Sequence, residues 1–266
     1  MPAPIVSEDV AEPVGATVAP VQHGLPGRRA WRYLAMPLFC AAALAALYMY
    51  VSSMELDSIE ARRLTAGFIT ASTLRHLYLV GVSTVIVILI AVPLGILLTR
   101  PAMRRAAPPI MAVASTGQAI PSIGVIVVLA LAVGFGVRYA IIALVAYAFL
   151  PVLRNTMVGL EQVDRSIIEA GRGMGMTRRA VLRRIELPLA VPVVLAGVRT
   201  ALVINVGTAA IATLTNAGGL GDIIYTGLVQ SRRVVILTGA VLTAVLALLI
   251  DYLAGLAEDV LRPRGL

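Results

Sequence analysis

Lysine is absent from this 266-residue chain, and all 22 of its basic residues are Arg. A P-loop needs its Lys to reach the β- and γ-phosphates, and a Schiff-base enzyme needs an amine nucleophile. Both classes are excluded, so any nucleotide hydrolysis must come from a partner. Cys40 stands alone inside an apolar stretch, which rules out an intrachain disulfide and a Cys-rich metal site. The two histidines, His23 and His76, lie in a polar tail and at the edge of an apolar stretch. Neither has a carboxylate cluster around it, so no metal site is expected. Charge is scarce as well: 14% of residues, against about 25% in a typical soluble domain.

What fills the chain instead is apolar: 59% of residues are hydrophobic and the mean hydropathy is +0.92. Most of the surface therefore faces something other than water, which is the membrane class. The net charge of +8 does not point to nucleic acid, because the Arg residues cluster between apolar runs, as in the cytoplasmic loops of a membrane protein.

Residues 1–27, rich in Ala, Pro, Val and Gly, read as a disordered cytoplasmic tail ahead of a transmembrane domain over 28–266. Arg28-Arg29 before an apolar run resembles an export signal. The run Leu34 to Val51 is long enough to span, however, and no small-x-small site follows, so retention is expected. A second uncharged run covers Leu77 to Thr99. The third region, Ala106 to Val137, is too long for one simple crossing; Pro121 breaks or kinks it and Gly134-Phe135-Gly136 offers a turn. Further helices are expected from Tyr139 to Arg154, from Pro188 to Thr213 and from Val234 to Leu256, with a loop at Asn216 to Asp222.

With the N-terminus inside, the inner segments hold fifteen Arg (28, 29, 32, 100, 104, 105, 154, 165, 172, 178, 179, 183, 184, 262, 264) and the outer segments six (62, 63, 75, 138, 232, 233). That bias predicts an all-α integral membrane protein of about six transmembrane helices with both termini cytoplasmic. It places the polar, Arg-rich stretch 155–188 in the cytoplasm.

This stretch has a pattern of its own. Asp164 can cap a short helix containing Ile167, Ile168, Glu169 and Ala170; Gly171, Gly173 and Gly175 interrupt it; Thr177 can cap a second helix to about Ile185; Pro188 opens the next span. An ordinary topology-fixing loop accounts for the Arg residues but not for an apolar pair beside a glycine turn. A docking site for a partner accounts for both.

Glu169-Ala170-Gly171, then Gly175, then Ile185-Glu186-Leu187-Pro188, resembles the signature loop of bacterial ABC importer permeases: E-A-A, three residues, G, nine residues, I-x-L-P. The spacing matches throughout, with Gly171 where the family usually has Ala. The resemblance implies that this loop is a coupling helix entering a cleft of an ATPase subunit, with Ile167, Ile168, Glu169, Ala170, Gly171, Gly175, Ile185, Leu187 and Pro188 at the contact.

It extends from Ser115 to Leu228, where Gln118 to Ser122, Leu150 to Thr156, Val198 to Ala201, Ile204 to Thr208 and Asn216 to Asp222 look like the osmoprotectant branch. That branch handles glycine betaine, carnitine and choline. The resemblance implies alternating access in the bacterial cytoplasmic (inner) membrane, without enzymatic activity or a cofactor on this chain. ATP and Mg would be bound by partner ATPase subunits. A second permease subunit, identical or paralogous, and a separate extracytoplasmic binding protein complete the expected partners besides lipid; nucleic acid is not expected. A permease for methionine or another amino acid shares the loop motif and is the alternative substrate class. A secondary transporter, a channel or a structural membrane protein are alternatives of other kinds.

Within the membrane, Arg199 lies about 16 Å into its helix, where it either lines an inward-facing cavity or pairs structurally with helix-end carbonyls or Asp251. Gln118, Pro121, Ser122, Asn205, Thr208 and Thr213 are the candidate translocation-pathway residues. Ser and Thr in membrane helices often bond only to backbone or a neighbouring helix, whereas Pro121 interrupts a helix and exposes backbone that can line a cavity. The dispersed tyrosines give no sign of an aromatic cage.

Overall fold

The computed structural model describes the backbone from residue 26 and side chains from residue 33, both through residue 261. The expected tail over 1–27 lies outside the described residues except for its last two, which belong to the first helix. By internal contacts the chain divides into Met1–Ala35 and Met36–Leu266.

Helix α1, Pro26–Ser52, is followed by α2, Ser58–Arg63, which is held by a capping box in which Asp57 accepts from the Ile59 and Glu60 amides and Glu60 accepts from the Asp57 amide. Helix α3 runs over Ala66–Leu98, opened by Thr65, whose hydroxyl oxygen accepts from the Phe68 amide. A 3₁₀ turn at Arg104–Ala106 leads into α4, Ala107–Ala119; α5 covers Ser122–Val133 and α6 Val137–Glu161. The short helices α7, Arg165–Gly173, and α8, Arg178–Val181, precede a π turn at Leu182–Glu186 and then α9, Leu187–Ile211. A 3₁₀ turn at Ala212–Thr215, α10, Gly221–Val229, and α11, Arg233–Leu261, complete the described chain.

Five helical stretches among the described residues are long and apolar enough to cross a membrane: Tyr33–Ser52, Ala66–Leu98, Val137–Glu161, Arg178–Thr215 and Arg233–Leu261. The pair Arg104–Ala119 and Ser122–Val133, bent by 97°, makes a sixth if counted as one broken span. The break falls at Ile120-Pro121, both extended, and Gly134 and Gly136 turn the chain at φ +125° and +122°. The protein is a multi-pass membrane protein.

Several helix boundaries differ from those expected: α8 ends at Val181, not near Ile185, and α11 runs to Leu261, not Leu256. Helix α3 begins at Ala66, not near Leu77, and so takes in Arg75 and His76. Their polarity marked a membrane edge in the sequence, but both are bonded within the protein. Helix α6 continues past Arg154 to Glu161 because Asn155 and Thr156 donate to the Pro151 and Val152 carbonyls of their own helix, at 2.8 and 2.7 Å. The expected loop at Asn216 to Asp222 gives way to α10 from Gly221.

Helices α3, α6 and α9 form the packed centre. Leu79, Val80, Ala140, Leu144, Val206 and Ala209 make one buried cluster, and Val87, Ala91, Leu98, Val152, Leu153 and Ala201 another. Small residues at these contacts let helix backbones approach, the device available where lipid supplies no hydrophobic drive between helices. Exposed Leu38, Phe39 and Tyr48 on α1, and Leu89, Val128 and Leu131 on α3 and α5, suit a lipid environment.

Candidate functional site

The segment between α6 and α9 is built by caps. Asp164 accepts from the Ser166 amide at 2.8 Å, and this bond holds its carboxyl below the usual carboxylate range. Thr177 accepts from the Ala180 amide at 3.3 Å. Between them α7 closes in a Schellman turn: the Gly175 amide donates to the Arg172 carbonyl at 2.9 Å and the Met176 amide to the Gly171 carbonyl at 3.2 Å. The residue at the left-handed position of that turn is Gly175, at φ +83°, with open space where a Cβ would stand.

Ile167, Glu169, Ala170 and Gly175 are exposed, whereas Ile168 is half-buried. The apolar surface is therefore not the adjacent Ile pair but Ile167 with Met174, which is 76% exposed, seven residues on and close to the same helix face. Gly171 is buried: a Cβ there would come 2.6 Å from Ile185 Cδ1, so glycine instead of alanine lets Ile185 close down on α7. Ile185 lies in the π turn, where the Leu187 amide donates to the Leu182 carbonyl. Pro188 has no N–H for the carbonyl four residues back, which accounts for the widened turn just before it.

Of the six pathway candidates, Gln118, Ser122 and Thr208 line one cleft of about 390 Å³, with Tyr147, Val203, Ile204, Gly207 and Ile211. Pro121 stands at the helix break beside it. The Gln118 amide donates to the Tyr147 carbonyl at 2.7 Å, and the Tyr147 hydroxyl donates to the Ile120 carbonyl, one of those freed by the break. Thr116, Thr156, Thr200, Thr238 and Thr243 each give their hydroxyl to the carbonyl four residues back. Ser122 and Thr208 make no such bond among the described residues, Ser122 half-buried and Thr208 buried at the cleft wall.

Asn205 and Thr213 lie elsewhere. Asn205 is fully buried and donates to Ser83 and Thr84 of α3 at 3.0 and 3.1 Å, while Thr213 donates to Asp222. Both are interhelical or loop ties.

Arg199 of α9 and Asp251 of α11 form a two-pronged pair, Nε to Oδ1 at 2.5 Å and Nη2 to Oδ2 at 2.7 Å, with Glu258 at 3.8 Å. Each of the pair keeps about a third of its side chain exposed, 38% and 32%. Removing Arg199 leaves Asp251 unpaired and removing Asp251 leaves Arg199 only the longer contact to Glu258, whereas removing both leaves neither charge behind. Arg199→Leu and Asp251→Leu should each lower the midpoint of thermal unfolding in detergent, and the double variant should recover most of the loss.

The sequence reading missed two sets of contacts. His76 is fully buried, with Nε2 donating to the Val206 carbonyl at 3.0 Å and Nδ1 accepting from the Leu220 amide at 3.3 Å; Arg75 donates to the Ala217 carbonyl at 3.0 Å. Together they hold the 216–220 loop against α3. Arg100, just after α3, pairs with Glu186 at 2.5 Å. The only signal for either was polarity next to an apolar run, which does not name a partner more than eighty residues away.

Fold and loop together define a transport-system membrane subunit, and residues 91–264 match the family described as binding-protein-dependent transport system inner membrane component. The chain belongs to that family. It is 42% identical over 190 residues to the carnitine transport permease protein OpuCD of Listeria monocytogenes, covering 71% of this chain and 84% of that one. It is 38% identical over 200 residues to the glycine betaine/carnitine/choline transport system permease protein OpuCB of Bacillus subtilis, covering 75% and 91%. The osmoprotectant import permease protein OsmY of Salmonella typhimurium is 37% identical over 215 residues, covering 81% and 90%. Among solved structures, the MetNI methionine ABC transporter in inward-facing conformations superposes with a TM-score of 0.64 at 26% identity, covering 73% of this chain and 96% of that one.

Proposed function

We propose that this chain is the pore-forming subunit of an ATP-driven importer of quaternary-amine osmoprotectants such as glycine betaine, carnitine and choline. The observation that carries the substrate class is the similarity to permeases named for those solutes, at higher identity than to the methionine transporter. Import of methionine or another amino acid is the second reading, favoured by the backbone likeness to MetNI.

In the proposed mechanism two permease subunits enclose the path, and two ATPase subunits, which bind ATP and Mg, dock on the α7–α8 knob. Ile167 and Met174 supply the apolar contact. ATP binding draws the ATPases together, and the displacement enters α9 through the π turn. The Arg bias puts this knob and the N-terminus in the cytoplasm. A separate extracytoplasmic binding protein delivers the solute, since the outer connections are too short to form a capture domain. The cleft at the α4–α5 break is the passage, where the hydroxyls of Ser122 and Thr208 meet the carboxylate of glycine betaine and Tyr147 offers a ring to its ammonium.

The test is uptake of radiolabelled glycine betaine and choline in cells with and without the chain. Ser122→Ala/Thr208→Val should slow glycine betaine several-fold more than choline, which has no carboxylate. Equal uptake with and without the chain, where no other carrier operates, would remove the osmoprotectant assignment and send the search to amino acids.

A further inference from the structure

We infer that the Arg100–Glu186 pair is a strut that carries displacement of the α7–α8 knob into α3, alongside its direct passage along the chain into α9. The inference rests on the ATP-coupled reading above.

Glu186 is the last residue of the π turn, at the point where the connector becomes α9. Its side chain is 9% exposed, and Arg100 is its one ion-pair partner among the described residues. Flanking Arg183 and Arg184 are exposed and do not reach it. On the other side, Arg100 is fixed to α3 twice, through the chain and through Nε, which donates to the Ile96 carbonyl at 3.2 Å. A nearly buried carboxylate cannot give up its only counter-charge without a large desolvation cost, so the two ends move together.

Further along, the same helices are tied again, by Asn205 to Ser83 and Thr84 at the middle of α3 and by His76 to Val206. Residues 186 and 205 are about 28 Å apart along a helix. Helix α9 is thus tied to α3 near both of its own ends, and a push on the π turn acts on the pair as one body. Continuity of the chain alone would drive α9 first and reach α3 only through packing and the ties further along. With the strut, α3 is driven directly at its near end, beside the buried cluster that it shares with α6 and α9.

The reconstituted complex with its ATPase and binding protein separates this from a plain folding role. Arg100→Gln and Glu186→Gln should assemble and hydrolyse ATP, yet move about five- to tenfold less glycine betaine per ATP, the size of a typical coupling energy. The charge-reversed double variant, Arg100→Glu/Glu186→Arg, should restore the ratio. Uptake and hydrolysis falling in parallel, or an unchanged ratio, would overturn the strut. If wild type moves neither glycine betaine nor choline, the substrate reading fails while the strut is still tested by distance. Spin labels at exposed positions 97 and 183, on a background with Cys40 replaced, should keep one narrow separation with and without trapped ATP in wild type. In Glu186→Gln that separation should broaden or shift on ATP trapping. The same narrow distribution in both proteins would overturn the inference.

Discussion

Gly175→Arg is expected to abolish uptake while the protein still inserts and accumulates in the membrane at a normal level. Two costs follow from the geometry, and they differ in size. The first is backbone strain: Gly175 sits at φ +83° in the Schellman turn, and an L-residue there costs about 1–2 kcal/mol. That sum weakens the turn without unfolding a multi-helix protein. The second is bulk. A Cβ at Gly175 meets nothing within the chain, so an Arg side chain has room to project outward from the knob, into the space that the proposed ATPase partner would fill. Gly175→Asn separates the two costs, because Asn tolerates the left-handed conformation at this capping position and is short. It should retain much of the uptake. Full uptake by the Arg variant, measured with radiolabelled glycine betaine in cells, would sink the coupling assignment.

A second large effect is expected at Gly221, and it concerns stability. This residue opens α10 directly against α9: a Cβ would overlap the Ala210 carbonyl oxygen and stand 2.7 Å from its carbon. The obstacle is backbone, so no rotamer change relieves it, and Thr213 bonded to Asp222 keeps the two elements together. Gly221→Val should therefore cost about 3 kcal/mol or more, seen as a fall of several degrees in the unfolding midpoint in detergent and a reduced membrane level. Gly81→Val is the matched control, since nothing lies within 4 Å of its Cβ position. A Gly221→Val protein as stable as that control would mean that α9 and α10 do not meet as described.

What the sequence disclosed and what it withheld differ in range. Features set by neighbouring residues were legible: the apolar runs, the break at Pro121, the caps at Asp164 and Thr177, and the glycine turn between them. Arg199 with Asp251 was only half legible: the sequence offered the pair beside helix-end carbonyls and a cavity-lining place, and the two-pronged bond decides among them. Arg75, His76 and Arg100 were not legible. Their partners are Ala217, Val206, Leu220 and Glu186, three of them backbone groups that no side-chain pattern advertises. The extension of α6 to Glu161 was hidden for a related reason: Asn155 and Thr156 look like a polar loop until their bonds to the preceding turn are seen. In the cleft, the sequence singled out Gln118, Ser122 and Thr208 but passed over Tyr147, whose isolation from other tyrosines removed it from consideration as a cage.

The sharp bend between α4 and α5 also bears on how the cell is kept sealed. With 13 and 12 residues, the two helices are each about 20 Å long at most, short of the roughly 30 Å of hydrocarbon that normally insulates one side from the other. On the reading proposed above, the barrier against leakage at this place rests on protein contacts as well as lipid, among them Gln118 on the Tyr147 carbonyl and the Tyr147 hydroxyl on Ile120. On that reading, a tight resting state and an open passage are two positions of one small plug, and loosening it would expose the membrane potential to a short circuit.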